Sequence, residues 1–176
     1  RLKINSPYDG HLIAEIDLDD AERIENVLET AHKLERDRDK IIPAPQRIEI
    51  LEKTAELVQA KAEEYAHQSA EEGGKPLIDS RIELFRAVQG IREAAQSISK
   101  LTGHEIPMNL TSSSMNRIAL TTREPIGLVA AISAFNHPFN LIVHQVIPAV
   151  AVGCPVIIKP ARTTPLSCLN LVNCLY

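Results

Sequence analysis

Toward its C-terminal end the chain gathers the residue types that can do chemistry. Lys159 stands directly after the apolar run Val156, Ile157, Ile158, and the end of a buried strand is where open parallel sheets put ligand-binding groups. A solvated strand end is the plainer use of such a lysine. Three residues on, Arg162 carries a guanidinium that only donates hydrogen bonds, in a fork that suits a phosphate; its other use is to swing into solvent. Asn136 lies in the turn Phe135, Asn136, His137, Pro138. Asn favours turns for its local hydrogen bonding. An amide N–H aimed at developing negative charge in a dry site is also worth about 3–4 kcal/mol to a transition state. His137 and His144 each remain open to two readings, a polar site residue or a hydrogen-bonded core histidine.

The cysteines carry no such chemistry. Cys154, Cys168 and Cys174 lack zinc-ligand spacing, and three thiols crowded into the last quarter make a poor disulfide framework. They predict a reducing cytoplasm, with Cys154, between Gly153 and Pro155, a small buried apolar residue.

The elements that position these residues follow from pattern. The 176 residues, 44% of them hydrophobic, suffice for one real core. The net charge of -4, from 19 basic and 23 acidic residues without charged blocks, and only six Tyr and Phe with no Trp, argue against a nucleic-acid partner. No apolar run reaches membrane-spanning length, and Arg1, Leu2, Lys3 followed by a turn is not a secretory leader. Residues 2–16 predict two short strands around the turn residues Ser6, Pro7, Asp9 and Gly10. Asp19 and Asp20 can cap a helix whose apolar positions run from Ala21 to Leu34. A second, long helix is expected from Pro45 to Gly73–Gly74, and a third from Pro76 to near Ile98, closed by Gly103. Residues 104–117 read as loop, and 117–123 as an exposed strand. After Pro125 a strand at 127–133, a helix at 138–152, a strand at 156–158 and a helix from Pro165 predict a parallel sheet of the doubly wound kind. The last segment, 166–176, is apolar on nearly every side and lacks a stop signal. A two-stranded parallel sheet is not a finished fold, so we expect more chain, or a partner, to complete it.

The stretch Glu124–Leu166, EPIGLVAAISAFNHPFNLIVHQVIPAVAVGCPVIIKPARTTPL, resembles the aldehyde dehydrogenase superfamily. Glu-Pro-Ile-Gly-Leu-Val leading into a strand, the Phe135–Pro138 turn, and Lys159-Pro160-Ala161 followed by Thr164-Pro165-Leu166 carry the likeness by their order and spacing. Upstream, PAPQRIEILEKTAELVQAKAEEYA and EEGGKPLIDSRIELFRAV look like the family's N-terminal helices. The resemblance implies an α/β fold: N-terminal helices of the cofactor-binding domain over 1–116, an oligomerisation-type strand over 117–124, and over 125–176 the first βαβα part of a Rossmann-like parallel sheet. The resemblance implies that the family's catalytic domain, with its cysteine nucleophile and acid/base glutamate, lies outside these 176 residues.

It further implies that the intact enzyme oxidises an aldehyde to a carboxylic acid with NAD or NADP, through a thiohemiacetal and a thioester. Asn136 takes the position of the oxyanion donor. Ile132, Ser133, Ala134 and Phe135 resemble the segment beneath the nicotinamide ribose, with Ala134 and Phe135 in place of a common Pro and Trp. Lys159, with Ala161 beside it, takes the adenosine-ribose position. Arg162 replaces a Glu frequent in NAD-preferring members, which implies that NADP is accepted at least as well as NAD. His137, Leu141 and His144 correspond to the substrate tunnel and imply a small polar or anionic aldehyde. Arg86 matches an Arg that phosphorylated-aldehyde members place near substrate, or is a surface residue of its helix. Gln145 stands where many relatives have Lys. A homodimer or homotetramer is implied, with neither nucleic acid nor membrane as a partner. Without the nucleophile the chain is expected not to turn over by itself; the alternative is a non-catalytic module that binds dinucleotide or a partner.

Overall fold

A computed structural model describes all residues, Arg1–Tyr176. Strands β1 (Leu2–Asn5) and β2 (Leu12–Ile16) form an antiparallel hairpin in which Ile4 faces Ala14, with a register irregularity after Ile4. Helix α1 (Ala21–Arg36) is capped by Asp20, whose carboxylate accepts from Arg23 N at 2.8 Å, as its sequence predicts.

The expected long helix from Pro45 is in fact two, α2 (Ala44–Ala60) and α3 (Ala62–Gly73). Lys61, at φ −107° and ψ 14°, turns the axis between them. The amides of Lys61 and Tyr65 still bond to the carbonyls of Leu57 and Lys61, so the apolar three-and-four spacing runs through the break and conceals it. Gly74, at φ +64°, ends α3 in the left-handed region, which glycine enters without the Cβ penalty. Helix α4 (Leu77–Ser97) then runs back.

Residues 104–117, expected to be loop throughout, contribute β3 (Glu105–Ile106), paired antiparallel with β4 (Ala119–Leu120). The predicted strand over 117–123 is thus only two ladder residues long, too short for its pattern to fix a partner from sequence. Beyond it come β5 (Val129–Ile132), α5 (Pro138–Val152), β6 (Val156–Lys159) and α6 (Pro165–Leu175). Strands β5 and β6 pair in parallel with Ile132 beside Lys159, the expected βαβα order. Proline at the first position of both helices fits there because that N–H has no partner in a helix. No helix is long and apolar enough to cross a membrane.

The core lies among α2, α4, α5 and α6. Leu51, Leu84, Ile91, Phe139, Ile142 and Leu171 are all essentially inaccessible. Phe139 stacks on Tyr65 with ring centroids 5.6 Å apart. Helix α5 is mostly apolar because it packs against α2, α4, α6 and the β5–β6 pair.

The hairpin is tied to the helical body by one charged contact. His11 Nδ1 lies 2.6 Å from Asp9 Oδ1 and Nε2 lies 2.9 Å from Glu71 Oε1. The hydrogen bond to Asp9, then that to Glu71, raises the His11 pKa above its ordinary 6.5. A raised folded-state value means that the tie is complete below the unfolded pKa and is lost as pH rises through the folded one. The thermal midpoint should therefore fall between about pH 6 and about pH 8.5 more steeply in the wild type than in His11→Asn, and the difference should shrink in high salt. Equal slopes would remove His11 from the account.

Candidate functional site

Two turns at the carboxyl ends of the parallel strands form the site. One, residues 133–137, links β5 to α5; the other, 160–164, links β6 to α6. They are held side by side. Ser133 N donates to Lys159 O at 3.0 Å, extending the parallel ladder one residue beyond the strands. Thr164, 1% exposed, donates its hydroxyl to Phe135 O at 3.4 Å. Ser133 is itself buried and its hydroxyl donates to Ala134 O at 3.2 Å. The structure thus brings together Ile132, Ser133, Ala134, Phe135, Lys159 and Ala161, six residues the sequence had grouped. Asn136 is exposed in the first turn, and its amide is engaged by no hydrogen bond within the chain. Phe135 and Ile132 are 67% and 64% exposed, so a large apolar surface lies open around that amide.

The second turn is cationic. Lys159 is exposed, with its ammonium donating to Pro160 O at 3.1 Å, and Arg162 is exposed as well. No carboxylate neutralises either. His137, Leu141 and His144, at i, i+4 and i+7, line one face of α5. His137 Nδ1 lies 3.8 Å from Glu83 Oε2, and His144 Nε2 lies 3.2 Å from Asn140 Nδ2. Neither histidine is a core residue. Arg86 is exposed on α4.

Three positioning contacts escaped the sequence. Gln145 on α5 pairs its amide with both backbone polar groups of one residue, accepting from Ile132 N at 2.8 Å and donating to Ile132 O at 2.9 Å. The last residue of β5 is thereby fixed just ahead of the Asn136 turn. Glu83 of α4, whose side chain has no accessible surface, accepts from Phe139 N at 2.7 Å and Asn140 N at 2.9 Å through Oε1, while Lys75 donates to its other oxygen. Glu72 of α3 accepts from Leu166 N and Ser167 N at 2.9 Å and from the Ser167 hydroxyl at 2.5 Å. Each carboxylate fills the first turn of a helix that has no side-chain cap of its own. Burial is the leading influence on both titrating neighbours, pushing the Glu72 carboxyl up and the Lys75 ammonium down. Sequence offered only a weak signal: acids on a helix face read as solvated until their burial is known.

With this geometry in place, comparison with known proteins is informative. A family model described as the aldehyde dehydrogenase family matches residues 1–176. A 3-sulfolactaldehyde dehydrogenase of Priestia megaterium is 39% identical over 128 residues, covering 73% of this chain and 27% of that protein. The crystal structure of an aldehyde dehydrogenase from Physcomitrella patens, in complex with the reaction product succinate, superposes with a TM-score of 0.93 at 31% identity over 99% of this chain and 36% of its own. A glyceraldehyde-3-phosphate dehydrogenase from Methanocaldococcus jannaschii, complexed with NADP, gives 0.91 at 31% identity over 99% and 37%. The chain belongs to the aldehyde dehydrogenase family. It spans about a third of the length of the relatives it matches, from 27% to 37% among these three.

Proposed function

We propose that the intact protein oxidises a small polar or anionic aldehyde to its carboxylic acid with NADP or NAD, and that this chain supplies the oxyanion donor and part of the cofactor site. The observation that carries the reading is the free Asn136 amide at the carboxyl end of β5, one hydrogen-bonded ladder step from the strand ending in Lys159. Asn136 donates to the carbonyl oxygen as negative charge develops there, and the fixed Ile132 peptide and the capped first turn of α5 hold it without reorganisation. Lys159 and Arg162 fit the adenosine end of a dinucleotide: both only donate, and no carboxylate competes for them. The cofactor, when bound, supplies the acceptor for the hydride leaving the aldehyde carbon.

Two features support an anionic or polar substrate. The names and contents of the relatives above carry a sulfonate, a carboxylate product and a phosphate. His137 and His144 put polar groups on the exposed face of α5. Phe135 and Ile132, which by resemblance lie beneath the nicotinamide ribose, add an exposed apolar wall beside them. Arg86 is proposed as an outlying anion contact and Leu141 as part of the wall.

A homodimer or homotetramer is proposed to form through segment 117–124. Ile118 is 86% and Leu120 70% exposed, and β4 has a partner along one edge only, the features that invite strand addition from another subunit. The cytoplasm is the proposed setting, in keeping with three free, buried thiols.

Three outcomes test these statements on the full-length enzyme. Asn136→Ala should lower kcat/KM for the aldehyde by roughly 100- to 1,000-fold with NADP affinity within about twofold; a loss under about tenfold would take Asn136 out of the chemistry. Arg162→Glu should reverse cofactor choice, weakening NADP on the order of 10- to 100-fold relative to NAD, as expected for one charge-assisted phosphate contact. An unchanged ratio would place the guanidinium in solvent. Light scattering should give a dimeric or tetrameric mass that Ile118→Lys reduces; a wild-type monomer would overturn the assembly.

A further inference from the structure

The corner joining α3 to α4 reaches both helices that follow the parallel strands. Glu72 lies in the last turn of α3, Lys75 just beyond Gly74, and Glu83 inside α4. Glu83 holds the amides of Phe139 and Asn140, the third and fourth residues after Asn136. Glu72 holds those of Leu166 and Ser167, immediately beyond the turn that begins after Lys159. Lys75 bonds to Glu83.

We propose that Glu83 is the positioning residue for Asn136 and Glu72 the positioning residue for the 160–164 turn, with Lys75 paired to Glu83. The inference rests on the reading of Asn136 as oxyanion donor. Helices usually draw an N-cap from the residue before them. Here His137 and Thr164 occupy that place and neither caps with its side chain. A cap built at position 137 would occupy the face of the turn that a substrate must approach. Caps supplied from beneath, by acids 56 and 94 residues earlier in the chain, leave Asn136 and His137 exposed while fixing the helices behind them. The direction of the Asn136 side chain then depends on two anchors. One is the Gln145–Ile132 peptide pair ahead of the turn, and the other is the Glu83 bond to the amides behind it.

The test uses full-length enzyme carrying Glu83→Gln or Glu72→Gln, with hydrogen–deuterium exchange as the readout that needs no activity. Glu83→Gln should speed exchange at the amides of residues 139–141 by about tenfold or more and leave those of 166–168 within about twofold; Glu72→Gln should do the reverse. In kinetics, Glu83→Gln should lower kcat/KM for the aldehyde roughly 10- to 100-fold, with NADPH affinity, read by its fluorescence, within about twofold. Glu72→Gln should chiefly weaken NADPH. Where Glu83→Gln does not fold, Glu83→Asp keeps the charge with a shorter reach and should show the same split in milder form. The proposal is overturned when either variant only lowers the thermal midpoint, or when aldehyde and cofactor constants move together. Full-length wild type that oxidises no aldehyde overturns the functional reading; the exchange pattern then still decides whether each acid holds its own turn.

Discussion

Burial of two carboxylates beneath the strand ends is the interaction on which the rest of the site depends. Glu72 and Glu83 are each 2% exposed, and an ionised carboxylate taken out of water costs several kcal/mol unless its oxygens find donors. Each finds helix-terminal amides that would themselves be orphaned, at the end of the helix where the aligned peptide dipoles favour negative charge. Two deficits thus cancel: the helices lack local caps, and the acids lack water. Lys75 adds a cation on the Glu83 side, itself largely desolvated, its side chain only 13% exposed. Breaking such a buried arrangement by deleting one member typically costs about 3–5 kcal/mol, comparable to a large core truncation. The acids and the apolar packing are therefore not separable: Phe139, which stacks on Tyr65 in the middle of the core, is also the residue whose amide Glu83 holds.

Sequence made the backbone plan legible and left most of the supporting contacts hidden. Pro138 and Pro165 opened α5 and α6, Gly74 closed α3, and the apolar runs at 127–133 and 156–158 foretold a parallel pair, all because these are local signals of backbone geometry; Gly103, expected to close the third helix, lies beyond the end of α4 at Ser97. The break at Lys61 was invisible because apolar periodicity and two main-chain hydrogen bonds continue across it. Strand β3 was invisible because two exposed residues, Glu105 and Ile106, carry no alternation to read. The turn residues Asn136, Lys159 and Arg162 were legible through a resemblance and through their place after strands. Glu72, Glu83 and Gln145 were not, since each acts on a backbone 13 to 95 residues away. Nothing in an i, i+3, i+4 pattern distinguishes an acid pointing inward at a distant amide from one pointing at water.

The first helix shows the same limit from the apolar side. Ile24, Val27, Leu28 and Leu34 recur at helical spacing and predicted α1 correctly, yet all four are more than a third exposed and only Ala31 is buried. Periodicity specifies an amphipathic helix; it does not specify how much of the stripe is covered. Val27, Ala31 and Leu34 of that helix, with Leu18, Pro155, Val156 and Ile157, line an open cleft of about 670 Å³ along β6.

Occupation of both helix N-termini also constrains where a dinucleotide can place its negative charge. In many parallel-sheet proteins the pyrophosphate rests on the first amides of the helix after a strand. Here Leu166 N and Ser167 N belong to Glu72, and Phe139 N and Asn140 N to Glu83. A phosphate approaching either helix would meet a carboxylate instead of free donors, and would have to displace a bond already charge-assisted. Attraction for an anion at this end of the sheet must therefore come from mobile side chains, and Lys159 and Arg162 are the cations exposed there. This division leaves the acids bonded to the helix amides behind the turns and leaves the two cations as the charged donors exposed at the proposed site. It also explains how a helix-rich corner carrying two buried negative charges sits directly under a site proposed to bind a polyanion: the charges are spent on main-chain amides before any ligand arrives.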